Sequence, residues 1–172
     1  LKRMNRGYTR EWYLERIKAI REIIPGCAIS TDIIAGFCGE TEDQHKETLS
    51  LMEEVQYDYA FNFFYSERPK TLAERKFEDD VTQEVKKRRL AEIIIIQRES
   101  AGKINETALG KTYKVLVEGF SKKSNEHLFG RNSQNAAIVF PKENYNPGQY
   151  VNVKIDNCTT ATLLGTAVNL AL

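Results

Sequence analysis

This chain has little with which to hold a metal ion. Its 172 residues include only two histidines and three cysteines. Cys27, Cys38 and Cys158 are spaced for neither a zinc site nor a disulfide framework, so free thiols are expected. His45 and His127 have no partner at ligand spacing and are read as surface residues. No apolar run reaches the roughly eighteen residues that a membrane-spanning helix needs. No signal peptide is visible, and the opening Leu1-Lys2-Arg3-Met4 reads as a fragment of a longer protein. A soluble, cytoplasmic piece is therefore expected. Charge of one sign is also lacking, because the formal net charge is only +1. That balance hides an asymmetry: from Thr107 onward there are seven Lys/Arg against four Asp/Glu, so the C-terminal part is the basic one. A polyanion such as nucleic acid fits it.

What the chain does have is a segment that concentrates its chemistry, Ile29-Ser-Thr-Asp-Ile-Ile-Ala-Gly-Phe-Cys-Gly-Glu-Thr41. It reads as a buried strand passing through a glycine turn into a helix, the junction at which α/β proteins hold ligands. Ile29, Thr31, Ile33 and Ala35 share an apolar parity, whereas Ser30, Asp32, Ile34 and Gly36 form a mixed face. Gly36 and Gly39 allow a tight turn and a close ligand approach. Asp32 is either a structural carboxylate or a polar residue of the ligand face. Thr41 with Gln44 has the form of a capping box, and Leu49, Met52 and Val55 mark the helix that follows.

Periodicity divides the chain in two. Thr9 caps a first helix whose stripe is Tyr13, Ile17, Ile20 and Ile24, stopped by Pro25-Gly26. A strand near 27–36, a helix near 41–56, an aromatic strand over 59–65 and a helix from Thr82 to about Lys103 follow. Ile93 to Ile96 lie inside that last helix, and the run Lys86-Lys-Arg-Arg89 is read as its solvated face. Helix, strand, helix, strand, helix is the pattern of parallel βα units. After Gly110 the pattern becomes five short strands in about sixty residues, the sign of a small closed barrel. Two domains are predicted, 1–106 and 107–172. The open edges of the two parallel strands need partners that this chain does not supply. Studied alone, the chain is expected to pair them with a second copy, which light scattering would detect.

Three blocks carry a resemblance: Met4-Asn-Arg-Gly-Tyr-Thr9, Thr31-Asp-Ile-Ile-Ala-Gly-Phe-Cys-Gly-Glu-Thr41 and Tyr65-Ser-Glu-Arg-Pro-Lys-Thr71. In that order, and followed by a barrel that resembles a TRAM domain, they are similar to the radical S-adenosylmethionine methylthiotransferases. The closest likeness is to the type that places a methylthio group on isopentenylated adenosine beside the tRNA anticodon. The resemblance implies the C-terminal part of a partial TIM-like radical barrel, followed by a small five-stranded antiparallel, OB-like barrel. It further implies S-adenosylmethionine and two four-iron, four-sulfur clusters in the full-length enzyme, with the cluster cysteines in a missing N-terminal part. The chain alone is then expected to do no chemistry, and no residue in it is expected to be catalytic or to ligate metal.

Carried over by position, the resemblance places Ile34-Ala35-Gly36 against adenine and makes Asp32, Ile34, Gly36, Phe37 and Arg68 the cofactor-binding candidates. Arg68 either holds a carboxylate or phosphate or pairs with Glu67 or Asp79. Lys111, Lys114, Lys122, Lys123 and Arg131 are the RNA-binding candidates, with the tRNA anticodon region as partner. Phe129 is read as core. Cys38 stands where the family has proline and Lys70 where it has glycine, so both turns are expected to differ in shape. The alternatives are a sister enzyme acting on a ribosomal protein, for which an acidic barrel is expected, and a non-catalytic RNA-binding module.

Overall fold

The computed structural model describes residues 1–169. They form two compact units divided between Ser100 and Ala101. The first contains α1 (Arg10–Ile23), β1 (Ser30–Ala35), α2 (Glu42–Val55), β2 (Tyr59–Phe64), α3 (Leu72–Lys76) and most of α4 (Gln83–Glu106). The second contains the last turns of α4 and the strands β3 (Thr112–Ser121), β4 (Ser124–Arg131), β5 (Ala137–Pro141), β6 (Tyr150–Cys158) and β7 (Leu163–Ala167).

The helix starts follow from the caps. The Thr9 hydroxyl accepts from the Trp12 amide, and Thr41 and Gln44 close a reciprocal capping box at α2. In the first unit β1 and β2 pair in parallel, with Ser30 opposite Tyr59 and Ala35 opposite Phe64. Ile33 and Ala35 turn inward with Ile17, Met52, Val55, Tyr57 and Ile93 to make the core. The α1 stripe is narrower than the sequence implies. Ile17 is buried, but Ile20 and Ile24 are exposed, because a two-stranded sheet offers only enough surface to cover the Tyr13–Leu14–Ile17 side of the helix. No further strand of a TIM-like barrel is present among the described residues.

Three polar residues expected at the surface are buried instead. His45 lies one turn before Leu49 on the stripe that leads to Met52, and its Nε2 meets Glu92 Oε2 at 2.6 Å. Lys86 and Arg89 head the stripe of α4 that continues through Ile93 to Gln97 and Ser100, so half of the basic run faces inward. Their charge is matched. Lys86 Nζ donates to Asp79 at 2.6 Å, and Arg89 reaches Glu40 at 2.8 Å.

The second unit is a closed barrel in the order β3-β4-β5-β7-β6. It is not wholly antiparallel as expected, because β5 and β7 run parallel, Ile138 opposite Leu163 and Val139 opposite Leu164. The reason is parity: an odd number of strands cannot alternate direction all the way around a closed ring. Val115, Val117, Leu128, Ile138, Phe140, Val151, Val153, Ile155 and Leu163 fill the interior. Phe129 is not among them. It lies between buried Leu128 and buried Gly130, so strand alternation turns it to the outer face, half-buried under the Arg131 guanidinium.

Candidate functional site

The mixed face of β1 is the open face of the first unit. Ser30, Asp32 and Ile34 are exposed, and their register partners on β2, Tyr59, Phe61 and Phe63, are exposed with them. Ile34 and Phe63 sit opposite each other near the strands' C-terminal ends at 40% and 53% exposure, an apolar pair with no cover among the described residues. Asp32 opposite Phe61 keeps its carboxylate in solvent, so its presence in the strand carries no burial cost.

The turn after β1 is tied down by charge. Gly36 and Gly39 both take left-handed φ angles, +71° and +68°. The Gly36 amide donates to Glu40 Oε2 at 2.6 Å, and Arg89 donates to both the Glu40 carbonyl and its carboxylate. Glu42 continues the network: its carboxylate binds Arg88 at 2.7 Å and Arg89 at 3.2 Å. The Arg88 hydrogen bond holds the Glu42 carboxyl down to about 2. Desolvation raises Glu92, but hydrogen bonds from His45 and Arg88 outweigh it and hold that carboxyl below the usual range. The close approach at Gly36 is made by the protein itself, since the Lys86 stem occupies the space a Cβ would take. Phe37 packs edge-on against Tyr65 and Phe77, with centroids 5.0 and 6.1 Å away. Arg68 is exposed in the loop after β2, and Asp79, one of its candidate partners, is engaged by Lys86. Lys70 adopts φ +69°, the conformation natural to the glycine of the resembled family, so the turn keeps a glycine shape with a lysine in it.

The barrel candidates fall into two places. Lys122 and Lys123 form the exposed tip of the β3–β4 hairpin. Lys114 and Arg131 lie on the outer face around Leu116, whose register partners are Arg131 on β4 and Tyr150 on β6. At the rise of an extended strand the tip is roughly 25 Å from Lys114, so no single nucleotide touches both. Lys111 is exposed just before β3. Three barrel cations sit over aromatic rings: Lys114 on Tyr150 at 4.8 Å, Arg131 on Phe129 at 5.3 Å and Lys142 on Phe120 at 5.0 Å. Tyr150 and Phe120 escape notice when the sequence is scanned for cations alone, and Lys142 is a cation that the candidates above leave out. The alternation of β6, where Val151, Val153 and Ile155 are buried, is the signal that turns Tyr150 outward.

Among the described residues no group of three or more His, Cys, Asp or Glu side chains comes together so as to hold a metal. No helix among them is long and apolar enough to cross a membrane.

Residues 106–168 match the TRAM domain. The chain is 56% identical over 168 residues to the tRNA-2-methylthio-N(6)-dimethylallyladenosine synthase of Parabacteroides distasonis, covering 98% of this chain and 37% of the relative. The protein of that name from Amoebophilus asiaticus is 56% identical over 166 residues, 96% of this chain and 34% of its own. That of Christiangramia forsetii is 52% identical over 171 residues, 99% of this chain and 36% of its own. The chain thus spans little more than a third of the length of the curated relatives it matches. Along nearly all of its residues the chain is thus similar to one part of the tRNA-2-methylthio-N(6)-dimethylallyladenosine synthases, a part that includes a TRAM domain.

Proposed function

We propose that this chain is part of a tRNA-modifying methylthiotransferase that adds a methylthio group to isopentenylated adenosine beside the anticodon by radical S-adenosylmethionine chemistry. The observation that carries the proposal is the 56% identity over 168 residues to a synthase named for that nucleoside. The names of the relatives favour it over a ribosomal-protein substrate, and the basic balance of the residues from Thr107 onward agrees.

In this reading β1 and β2 are two strands of a larger parallel barrel, whose remaining strands would cover the exposed Ile34–Phe63 face and its neighbours. Ile34 supplies an apolar contact for adenine, and Gly36 shapes the turn beside it. Phe37 buttresses that turn, while Asp32 and Arg68 offer a polar acceptor and a cation for the rest of the cofactor. These residues would hold S-adenosylmethionine, which would supply the radical chemistry directed at the base. The iron–sulfur clusters of such an enzyme do not fit this chain. Cys27 is exposed and Cys38 is buried, and with Cys158 they have none of the close spacing of a cluster-binding cysteine motif. The cluster ligands therefore belong to another part of the protein, and the 172 residues alone turn over no substrate. The functional boundary near residue 106 separates cofactor side from RNA side, and Lys111, Lys114, Lys122, Lys123 and Arg131 contact tRNA phosphates near the anticodon. The cell compartment is the cytoplasm, where tRNA is modified. Alone, the chain pairs its open strand edges with a second copy, to be seen as a dimer by light scattering.

The test is the parent reading frame. A Cys-x-x-x-Cys-x-x-Cys motif upstream of Leu1, and tRNA methylthiolation by the reconstituted full-length protein, are expected. A parent without that motif would overturn the proposal.

A further inference from the structure

The three cation–ring pairs of the barrel are not equivalent. Two of them share one face: Tyr150, Leu116 and Arg131 form a row across β6, β3 and β4 by direct register, with Lys114 and Phe129 beside it on the same side. Tyr150 is 63% exposed, the highest value for any aromatic residue on the barrel. The Lys114 ammonium lies 4.8 Å from its ring centroid. Arg131 is braced from the side by Glu118 at 3.4 Å and by the Asn135 carbonyl at 3.0 Å, which fixes its guanidinium over Phe129. A phosphate-only grip needs cations and no rings. A flat ring left in water beside a cation is instead the arrangement that stacks a base and neutralises its phosphate.

We infer that the outer face of β3, β4 and β6 is a subsite for an unpaired nucleotide, its base stacked on Tyr150 and its phosphate held by Lys114, with Arg131 and Leu116 bordering the base. The inference rests on the proposal that the barrel binds RNA, and it names the part of the RNA that this face takes: a single-stranded loop, not a paired stem. Bases in an A-form stem are already stacked on one another and leave no ring surface for Tyr150. The hairpin tip at Lys122 and Lys123, roughly 25 Å away along β3, is left to contact the backbone elsewhere.

The test uses the 172-residue chain and two RNAs, an anticodon stem-loop and a blunt duplex of the same stem, with binding followed by fluorescence anisotropy across a salt series. Tyr150→Ala is expected to weaken stem-loop binding roughly five- to hundredfold, as loss of one base–ring stack does, while leaving duplex binding and the salt slope unchanged. Tyr150→Phe is expected to bind as the parent chain does, and Lys114→Ala to lower the salt slope by about one. Tyr150→Ala binding the stem-loop like the parent chain would overturn the subsite while leaving the RNA reading intact. A parent chain that binds neither RNA would overturn both. Tyr150 is a surface side chain, and an unchanged melting curve of the variant confirms that only the face was altered.

Discussion

The Lys86 side chain fills the space that a Cβ on Gly36 would take, its Cγ 2.5 Å from that position, while its ammonium binds Asp79 at 2.6 Å. One lysine thus packs the turn after β1 and neutralises an acid from the segment between α3 and α4. Gly36→Ala is expected to destabilise the first unit by about 2–3 kcal/mol, combining a left-handed alanine with displacement of the lysine stem. In a Lys86→Ala background the clash is gone and the same substitution should cost about 1 kcal/mol less. Urea unfolding of the four proteins measures the difference; equal costs in both backgrounds would show that the two residues do not compete for that space.

Lys70 holds φ +69° and its amide donates to Glu74 Oε2 at 2.6 Å. Lys70→Gly keeps that hydrogen bond and relieves the left-handed strain, against the larger freedom glycine has when unfolded. A net gain of about 0.5 kcal/mol, or a Tm rise of about 1–2 °C, is expected by calorimetry. A fall in Tm would mean that the turn is held by the lysine side chain.

Acid should loosen the link between α2 and α4. Glu42 titrates at about 2 in the folded chain, below its ordinary value of 4.5, because Arg88 and Arg89 bind its charged form. The stabilisation is therefore complete above about pH 4.5 and lost as the pH falls toward 2. Glu92, also lowered, acts in the same direction. Glu42→Gln should melt lower than the parent chain at pH 7 and the gap should close by pH 2 in a circular dichroism titration. A gap independent of pH would place the effect outside this ion pair.

Much of this architecture is legible in the residues. Thr9 and Thr41 announce their helices, the alternation from Ile29 to Gly36 separates core from open face, and the charged neighbours of Ile93 to Ile96 mark a helix. The inward turn of Lys86 and Arg89 was also within reach, since both extend the stripe Ile93, Gln97 and Ser100 back by one and two turns. What hides it is that their partners, Asp79 and Glu40, come from loops whose positions no local pattern reveals. His45 is concealed in the same way by Glu92, 47 residues away. That the closed ring must contain a parallel pair follows from the odd strand count, but that the pair is β5 and β7 does not, and the rings of Tyr150 and Phe129 become a surface only when three strands are laid side by side.

An RNA grip built from the barrel's cations shows itself in the salt dependence of tRNA binding. For the 172-residue chain, log Kd against log salt concentration should be linear with a slope set by the phosphates neutralised, and Lys122→Glu with Lys123→Glu should weaken binding and reduce that slope by about two. Binding and slope unchanged in the double variant, or no measurable tRNA binding by the parent chain at low salt, would show that these cations do not grip RNA.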